Sequence, residues 1–299
     1  MALLRDAKPL MGTVFSIAVP DSVDPGLFER AWAEACALLG RIEEVYSPFL
    51  PDSPVSRIRD GRIGPADLDR QPDLSAPEVE DFREVLGLCA QLRRESDGAF
   101  DAWLVGDPPS FDPCGAVKGW AAERASALLV ERGVLAHSLN AGGDVRLRTD
   151  GEATWNVGVE DPHRPDRILA QVTLADGAVA TSGTRQRGSH VWDPLHRRPA
   201  EGLAQVTIVG PDLALADGYA TAALALGGRA RAFLAQLGAH GPYQGCTVDD
   251  AQGVWWTEGF EDHAPALRGL LPRPNGASNA GSDAASGGPG SGPEADMRR

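Results

Sequence analysis

Asp217 and Thr221 are a pair of residues that could hold a cation. They stand four residues apart, so on a helix their side chains lie on one face, one turn apart. A carboxylate and a hydroxyl arranged in this way suit a hard cation that prefers oxygen ligands. A structural interpretation competes, because an Asp near a helix start favours the helix dipole and a Thr often bonds the carbonyl four residues earlier. On this pair alone, the structural interpretation is favoured.

A glycine turn that leads into a predicted helix offers a place for an anion. Residues 112–120 read Asp-Pro-Cys-Gly-Ala-Val-Lys-Gly-Trp. Free N–H groups at a helix N-terminus bind anions, and Lys118 adds a positive charge there. An ordinary strand-to-helix turn explains the same residues, and the segment lacks the G-x-x-x-x-G-K-[ST] spacing of a P-loop.

Two consecutive glycines lie between predicted strands, in the sequence Asn-Ala-Gly-Gly-Asp of residues 140–144. Glycines in this context indicate a backbone that a ligand approaches closely, or a simple glycine turn or bulge. Both interpretations stay open on this segment alone.

His190 is a candidate general base. It lies in the segment Ser-His-Val-Trp-Asp-Pro of residues 189–194, which follows Thr-Ser-Gly at 181–183. An imidazole titrates near neutral pH and can accept a proton from a hydroxyl. The chain has six histidines, and any one of them is more often structural or merely exposed.

The elements that must position these residues mix helices with strands. Caps and apolar periodicity predict helices from Pro25 to Tyr46 with Asp24 as N-cap, from Ser75 with Glu78 in a capping box, and over 117–132, 213–226 and 229–237. Strands are predicted at 14–19, around 139, and at 145–147, 155–159, 168–174, 179–181, 190–192 and 204–209, with a hairpin over 245–256. Because the order has no βαβ rhythm, the predicted fold class is α+β, with mixed, mostly antiparallel sheets and packed helices.

Composition limits the classes of partner. The 299 residues are 42% hydrophobic, enough for a core, and carry a formal net charge of -14. Such an acidic chain repels nucleic acid and anionic lipid surfaces, so we expect neither nucleic-acid binding nor membrane insertion. The N-terminal residues lack an apolar signal-peptide core, and we therefore expect a soluble, cytoplasmic protein. Residues 274–299 are rich in Gly, Ser and Pro, and we expect a disordered tail after a globular domain over 1–273.

Nine short segments with distinctive residue patterns follow one another between residues 11 and 257. They are MGT at 11–13, SPFLPDSPVSR at 47–57, SDGAFD at 96–101, DPCGAVKGW at 112–120, NAGGD at 140–144, WNVGVEDP at 155–162, TSG at 181–183, SHVWDP at 189–194 and ADGYAT at 216–221. In this order they resemble the motifs of the ApbE family, the FAD:protein FMN transferases.

The resemblance implies an ApbE-like, T-fold-related architecture and a magnesium-dependent reaction. In that reaction the FMN half of FAD is transferred to a Thr or Ser hydroxyl of an acceptor protein, and AMP is released. Matching positions imply that Asp217 and Thr221 bind Mg²⁺, with the Gly115 carbonyl nearby, and that His190 assists proton removal from the hydroxyl. The positions that match FAD-binding residues of the family are Met11, Phe49, Ala99, Phe100, Asp101, Asp112, Lys118 and Trp192.

Physical chemistry agrees with this interpretation, because pyrophosphate cleavage needs charge neutralisation and positioning more than covalent help. Three departures stand out. The segment between Asp101 and Asp112 is short where many relatives carry an insert, Phe49 replaces a usual Tyr, and Ala220 stands where some members have a second acid. Two alternatives stay open: an FAD pyrophosphatase that yields FMN and AMP, and a flavin-binding protein without catalysis.

Overall fold

An eight-stranded antiparallel sheet is the centre of the fold. The structure is a computed structural model that describes residues 2–184, 191–265 and 267. The strands are β1 Leu3–Leu10, β2 Thr13–Pro20, β3 His137–Ala141, β4 Asp144–Arg148, β5 Trp155–Asp161, β6 Arg164–Leu174, β7 Gly177–Gly183, β8 Trp192–Asp193, β9 Arg198–Pro199, β10 Leu203–Gly210, β11 Gln244–Asp249 and β12 Val254–Trp256. The helices are α1 Pro25–Tyr46, α2 Pro54–Arg59, α3 Ala76–Glu95, α4 Cys114–Glu131, α5 Leu213–Leu226, α6 Ala230–His240 and α7 Phe260–His263, with short 3₁₀ turns at Pro65–Arg70 and Gly227–Arg229.

The main sheet has the order β1-β2-β3-β4-β7-β10-β11-β12, and each neighbouring pair is antiparallel. The chain leaves the sheet after β2 to form α1–α4, and after β10 to form α5 and α6. The hairpins β5–β6 and β8–β9 form separate two-stranded sheets. The predicted α+β class with mostly antiparallel strands is confirmed.

Two long helices begin where their caps predict. The side chain of Asp24 accepts a hydrogen bond from the N–H of Leu27 at 2.7 Å, and Pro25 occupies the first turn of α1. Ser75 and Glu78 form a reciprocal capping box at the start of α3. The apolar faces of both helices enter one hydrophobic core with the sheet.

Helix α4 begins at Cys114, so the predicted start at Val117 is wrong. The Asp112 carboxylate accepts the N–H of Cys114 at 2.9 Å and satisfies one of the donors that a helix start leaves unpaired. The sequence does not predict this helix start, because Pro113 and Gly115 are residue types that are rare inside helices.

Strand β1 and helix α2 are absent from the sequence prediction. Half of the residues of β1 are exposed and none is buried, and the strand carries Arg5, Asp6, Lys8 and Pro9, so it shows no apolar alternation. It pairs with β2 through a two-residue turn between Leu10 and Thr13. Met11 and Gly12 form this turn with φ of 54° and 67°, as a type I′ hairpin requires.

Helix α5 lies in the middle of the molecule. It packs against α3 and α4 on one side and against β7 and β10 on the other. Its side chains are buried almost all round, from Leu213 to Ala225, which explains why its sequence is rich in Ala and has no solvent-facing polar stripe. The bounds Leu213–Leu226 agree with the prediction. The predicted domain end at Arg273 and the tail 274–299 lie outside the described residues.

Candidate functional site

One open cleft of about 1260 Å³ lies between the sheet, the helices and the β5–β6 hairpin. Its walls come from the β1–β2 turn, residues 46–50, 99–102 and 105, the start of α4, the β3–β4 turn, strand β5, the end of β7, and Trp192. The volume suits a cofactor-sized ligand. Every predicted site residue within the described part of the chain lines this cleft: Met11, Phe49, Ala99, Phe100, Asp101, Asp112, Gly115, Lys118, Trp192, Asp217 and Thr221.

Two glycines of α4 allow α5 to approach closely at the base of the cleft. A Cβ on Gly119 would lie 2.6 Å from the Leu213 carbonyl oxygen and 2.9 Å from the Asp217 Cβ. A Cβ on Gly115 would lie 3.0 Å from the Phe100 ring and 3.3 Å from the Thr221 Cγ2. Gly115 of α4 therefore faces Thr221 of α5, and Gly119, one helical turn further along α4, faces Asp217.

Asp217 is a buried carboxylate with two donors on one oxygen. Its side chain is 5% exposed, and Oδ2 accepts the N–H of Gly119 at 3.0 Å. The Nζ of Lys118 lies 3.2 Å from the same oxygen. The Thr221 hydroxyl lies 3.4 Å from the Ser182 hydroxyl, at the end of β7. The predicted shared face of Asp217 and Thr221 therefore points into the cleft wall.

Asp144 is a site residue that residue types and spacing did not reveal. Its side chain is 2% exposed and its Oδ2 pairs with the Lys118 ammonium. Its Oδ1 accepts the N–H of Thr181 at 2.7 Å. A signal was present, because Asp144 ends the Asn-Ala-Gly-Gly-Asp segment, but an Asp that follows a glycine turn is also an ordinary turn residue. Lys118 thus lies between two buried carboxylates, Asp144 and Asp217.

The donor set at this place fits a magnesium ion. Two carboxylates and one ammonium leave a net charge of about one negative, and the hydroxyls of Thr221 and Ser182 add oxygen donors. Across the described residues, no group of three or more His, Cys, Asp or Glu side chains could hold a metal. Mg²⁺ is usually held by one or two carboxylates together with substrate phosphates and water, so this sparse set is the kind it uses.

The paired glycines at 142 and 143 form the two-residue turn between β3 and β4. A Cβ on Gly142 would lie 2.2 Å from the Thr13 hydroxyl oxygen, and the Gly142 N–H donates to the Val14 carbonyl at 3.0 Å. The side chain of Asn140 accepts the N–H of Gly143 at 2.8 Å. The glycine-turn interpretation is confirmed, and the turn also lines the cleft.

Two aromatic side chains lie at the mouth and wall of the cleft. Phe49 is 90% exposed, on a loop that Ser53 fixes by donating its hydroxyl to the Ser47 carbonyl at 2.6 Å. Trp192 is half-buried, and its buried Nε1–H has no hydrogen-bond partner among the described residues. A buried donor without a partner is costly, so this N–H suits a ligand acceptor.

Local hydrogen bonds hold the other predicted ligand-binding residues in position. The Asp101 carboxylate binds Arg93 Nε at 2.6 Å and the Trp103 N–H at 2.9 Å, and the Asp112 carboxylate accepts the N–H of Cys114 at the start of α4. The Phe100 N–H donates to the Ser96 hydroxyl at 2.9 Å. The Met11 N–H donates to Glu43 Oε2 at 3.0 Å. These side chains fix the cleft wall as well as line it.

His190 lies outside the described residues, so its predicted role as a base stays a prediction. The turn that follows is formed by Asp193, whose carboxylate accepts the N–H groups of Leu195 and His196 and contacts the His196 ring at 2.6 Å.

Comparisons with known proteins agree on one family. A sequence profile of the ApbE family matches residues 11–107 and 105–241. The FAD:protein FMN transferase of Rhodobacter capsulatus is 30% identical over 168 residues, which cover 52% of this chain and 31% of that protein. The protein of the same name from Treponema pallidum is 36% identical over 95 residues, which cover 28% of this chain and 26% of that protein. The chain spans about a third of the length of the first curated relatives.

Solved structures show the same fold. The ApbE protein of Thermotoga maritima superposes with a TM-score of 0.72 at 22% identity, over 88% of this chain and 99% of that chain. The flavin transferase ApbE of Vibrio cholerae superposes with a TM-score of 0.69 at 19% identity, again over 88% and 99%. In the described part of the chain, no helix combines the length and apolar character needed to cross a bilayer.

Proposed function

The chain belongs to the ApbE family, and from this premise we propose that it transfers the FMN half of FAD to a Thr or Ser hydroxyl of an acceptor protein. The curated relatives carry the name FAD:protein FMN transferase. The observation that carries the proposal is the single cleft in which Asp217, Thr221 and Lys118 lie at the base and Phe49 lies at the mouth. Groups that handle phosphate and a surface for a flavin ring therefore share one site.

Asp217 and Thr221 would hold Mg²⁺, with the Gly115 carbonyl beside them. When bound there, the ion would supply charge neutralisation for the pyrophosphate of FAD. Lys118 adds a positive charge at the same place, and the net charge of -14 over the whole chain makes this local provision necessary. The Mg²⁺ requirement is part of the proposal.

The flavin ring would stack on Phe49, and the Trp192 N–H would donate to an acceptor on the ligand. The hydroxyl oxygen of the acceptor protein attacks the phosphorus of the FMN half. The bond from that phosphorus to the bridging oxygen breaks, and AMP leaves with that oxygen. The hydroxyl proton passes to a base, for which we propose His190. The products are a phosphoester-linked flavin and AMP.

The test is incubation of the protein with FAD, Mg²⁺ and a Thr-containing acceptor peptide. We expect a fluorescent flavin–peptide adduct and an equal amount of AMP, both lost with EDTA and in Asp217→Asn. FMN and AMP without an adduct would identify a pyrophosphatase. Tight FAD binding with no product would identify a flavin-binding protein. A Thr→Ala peptide is the matched substrate control.

A further inference from the structure

The Lys118 ammonium is shared by two buried carboxylates that come from different elements. Asp217 lies on α5 and Asp144 begins β4, and their side chains are 5% and 2% exposed. Both charges are in a place where water screens little, so each interaction is stronger than at the surface. The position of Lys118 therefore depends on the balance between these two carboxylates.

Lys118 competes with any cation that binds Asp217. Its Nζ lies 3.2 Å from the Asp217 oxygen, which is within the range where a positive charge repels a second one strongly. Asp144 draws the ammonium in the opposite direction. The N–H of Thr181 fixes the Asp144 carboxylate through its other oxygen, so that carboxylate is held in place independently of Lys118.

We propose that Asp144 is a positioning residue for the magnesium-dependent reaction. Its carboxylate shares the Lys118 ammonium with Asp217 and draws it away from Asp217, so that Asp217 is available to Mg²⁺ while Lys118 stays in the cleft to meet the FAD phosphates. This inference rests on the proposed function. It adds a residue whose effect is exerted through Lys118 and not by contact with FAD.

The first variant is Asp144→Asn, which keeps an oxygen for the Thr181 N–H and removes the charge. Lys118 is then left with Asp217 as its one carboxylate, and the Mg²⁺ dissociation constant should rise by about tenfold or more. Asp144→Glu restores the charge and should recover most of the affinity. Binding of Mg²⁺ alone, without FAD, is measured by calorimetry on the full chain, and thermal unfolding checks that each variant folds.

The double variant Asp144→Asn with Lys118→Met separates positioning from a structural role. Without the competing ammonium, Mg²⁺ affinity should return to within about threefold of wild type, although FAD transfer stays low because Lys118 is absent. Asp161→Asn is the matched control. It removes a similarly buried carboxylate that binds Arg164 and the N–H of His163 and does not line the cleft, so Mg²⁺ affinity should not change.

Three results would overturn the inference: wild-type Mg²⁺ affinity in Asp144→Asn, a double variant as weak as Asp144→Asn alone, or no Mg²⁺ binding by the wild type. The last would also remove the metal from the proposed function. If Mg²⁺ affinities follow the expected pattern but no peptide is flavinylated, the positioning role stands and the proposed transfer is wrong.

Discussion

At the scale of single residues, Met11 combines an unusual backbone conformation with a place in the wall of the cleft. Its φ of 54° is a backbone conformation that side-chain-bearing residues seldom adopt, and a hairpin turn of this type favours Asn or Gly there. Its N–H is held by Glu43 and it lines the cleft. Such a conformation costs about 1–3 kcal/mol, and because Met11 also lines the cleft, we propose a role for it in ligand binding.

Phe49→Ala should weaken FAD binding without affecting stability. The side chain is 90% exposed, so its removal takes almost nothing from the core, whereas loss of a stacking partner costs about 0.5–1.5 kcal/mol, or roughly two- to tenfold in the dissociation constant. FAD fluorescence titration and thermal unfolding measure the two effects. Ile168→Ala, another exposed apolar residue at 59%, should change neither. A drop in melting temperature for Phe49→Ala would show that the ring packs on the protein instead.

His190→Ala should slow transfer while FAD affinity stays close to wild type. A positioned base typically contributes ~10²–10⁴-fold, and FAD binding is assigned to other groups. Single-turnover transfer at saturating FAD and FAD titration on the same preparation test this. If single-turnover transfer matches wild type, His190 is not the base.

Most of the candidate site residues were assigned by the resemblance to the ApbE family, and residue spacing alone gave only the pair Asp217 and Thr221. Asp217 and Thr221 are one helical turn apart, which is legible in the sequence. The ion pair of Lys118 with Asp144 cannot be predicted from the sequence in this way, because it depends on how β4 packs against α4. The strained backbone of Met11 was likewise hidden, since nothing in Met-Gly-Thr distinguishes a turn residue from a strand residue.

At the scale of elements, the contact of α4 with α5 sets the base of the cleft. Gly115 and Gly119 let the two helices approach until the Gly119 N–H reaches the Asp217 carboxylate. The position of the proposed metal ligands is therefore a consequence of helix packing. A change in the spacing of these helices should move Asp217 and Thr221 together.

Gly119→Ala should destabilise the protein by about 1–3 kcal/mol and weaken Mg²⁺ binding. The new methyl group would lie 2.6 Å from a backbone oxygen of α5, so the helices must separate. Gly87→Ala is the matched control, because a methyl group on Gly87 of α3 would meet no atom within 4 Å. It should stabilise the helix by roughly 0.5–1 kcal/mol. Denaturant unfolding and Mg²⁺ calorimetry measure both, and an unchanged Gly119→Ala would contradict the packing argument.

A buried histidine links α4 to β3 and should make stability depend on pH. His137 contacts the Ser126 hydroxyl at 2.8 Å and the Val134 carbonyl at 3.0 Å. Burial lowers the pKa of His137 from 6.5 to about 4. The folded state thus favours the neutral ring, and the unfolded state binds more protons between these two values. Its contribution is complete above pH 6.5 and is lost as the pH falls towards 4, by up to about 3 kcal/mol.

The free energy of unfolding, measured between about pH 7 and pH 4, tests this. His137→Gln should show a shallower loss of stability over that interval than wild type, and substitution of the exposed His240 by Gln is the matched control. Equal slopes for wild type and His137→Gln would show that the pKa of His137 is the same in the folded and unfolded states.

At the scale of the whole molecule, the helices were easier to predict than the sheet. Caps such as Asp24 and the pair Ser75–Glu78 mark helix starts within a few residues of sequence. The order of the sheet joins β4 to β7 and β7 to β10 across intervening hairpins, and pairings of this kind leave no local signal. Strand β1 escapes prediction because exposed charged residues replace the apolar alternation.

Removal of residues 274–299 should leave activity and melting temperature unchanged. A segment rich in Gly, Ser and Pro adds no apolar surface to a core. A chain that ends at Arg273 and the full chain can be compared by thermal unfolding and by flavin transfer to the same peptide. A fall of several degrees in melting temperature would show that these residues dock on the domain.

The contact between Gly119 and Asp217 also has a consequence for biosynthesis. The two residues are 98 positions apart, and a ribosome that adds about 5–20 residues per second needs roughly 5–20 s to make that stretch. Lys118 is present throughout this interval and Asp144 from its first quarter onwards, but α5 is not complete. A nascent chain therefore cannot assemble the proposed metal ligands until the central helix has been added.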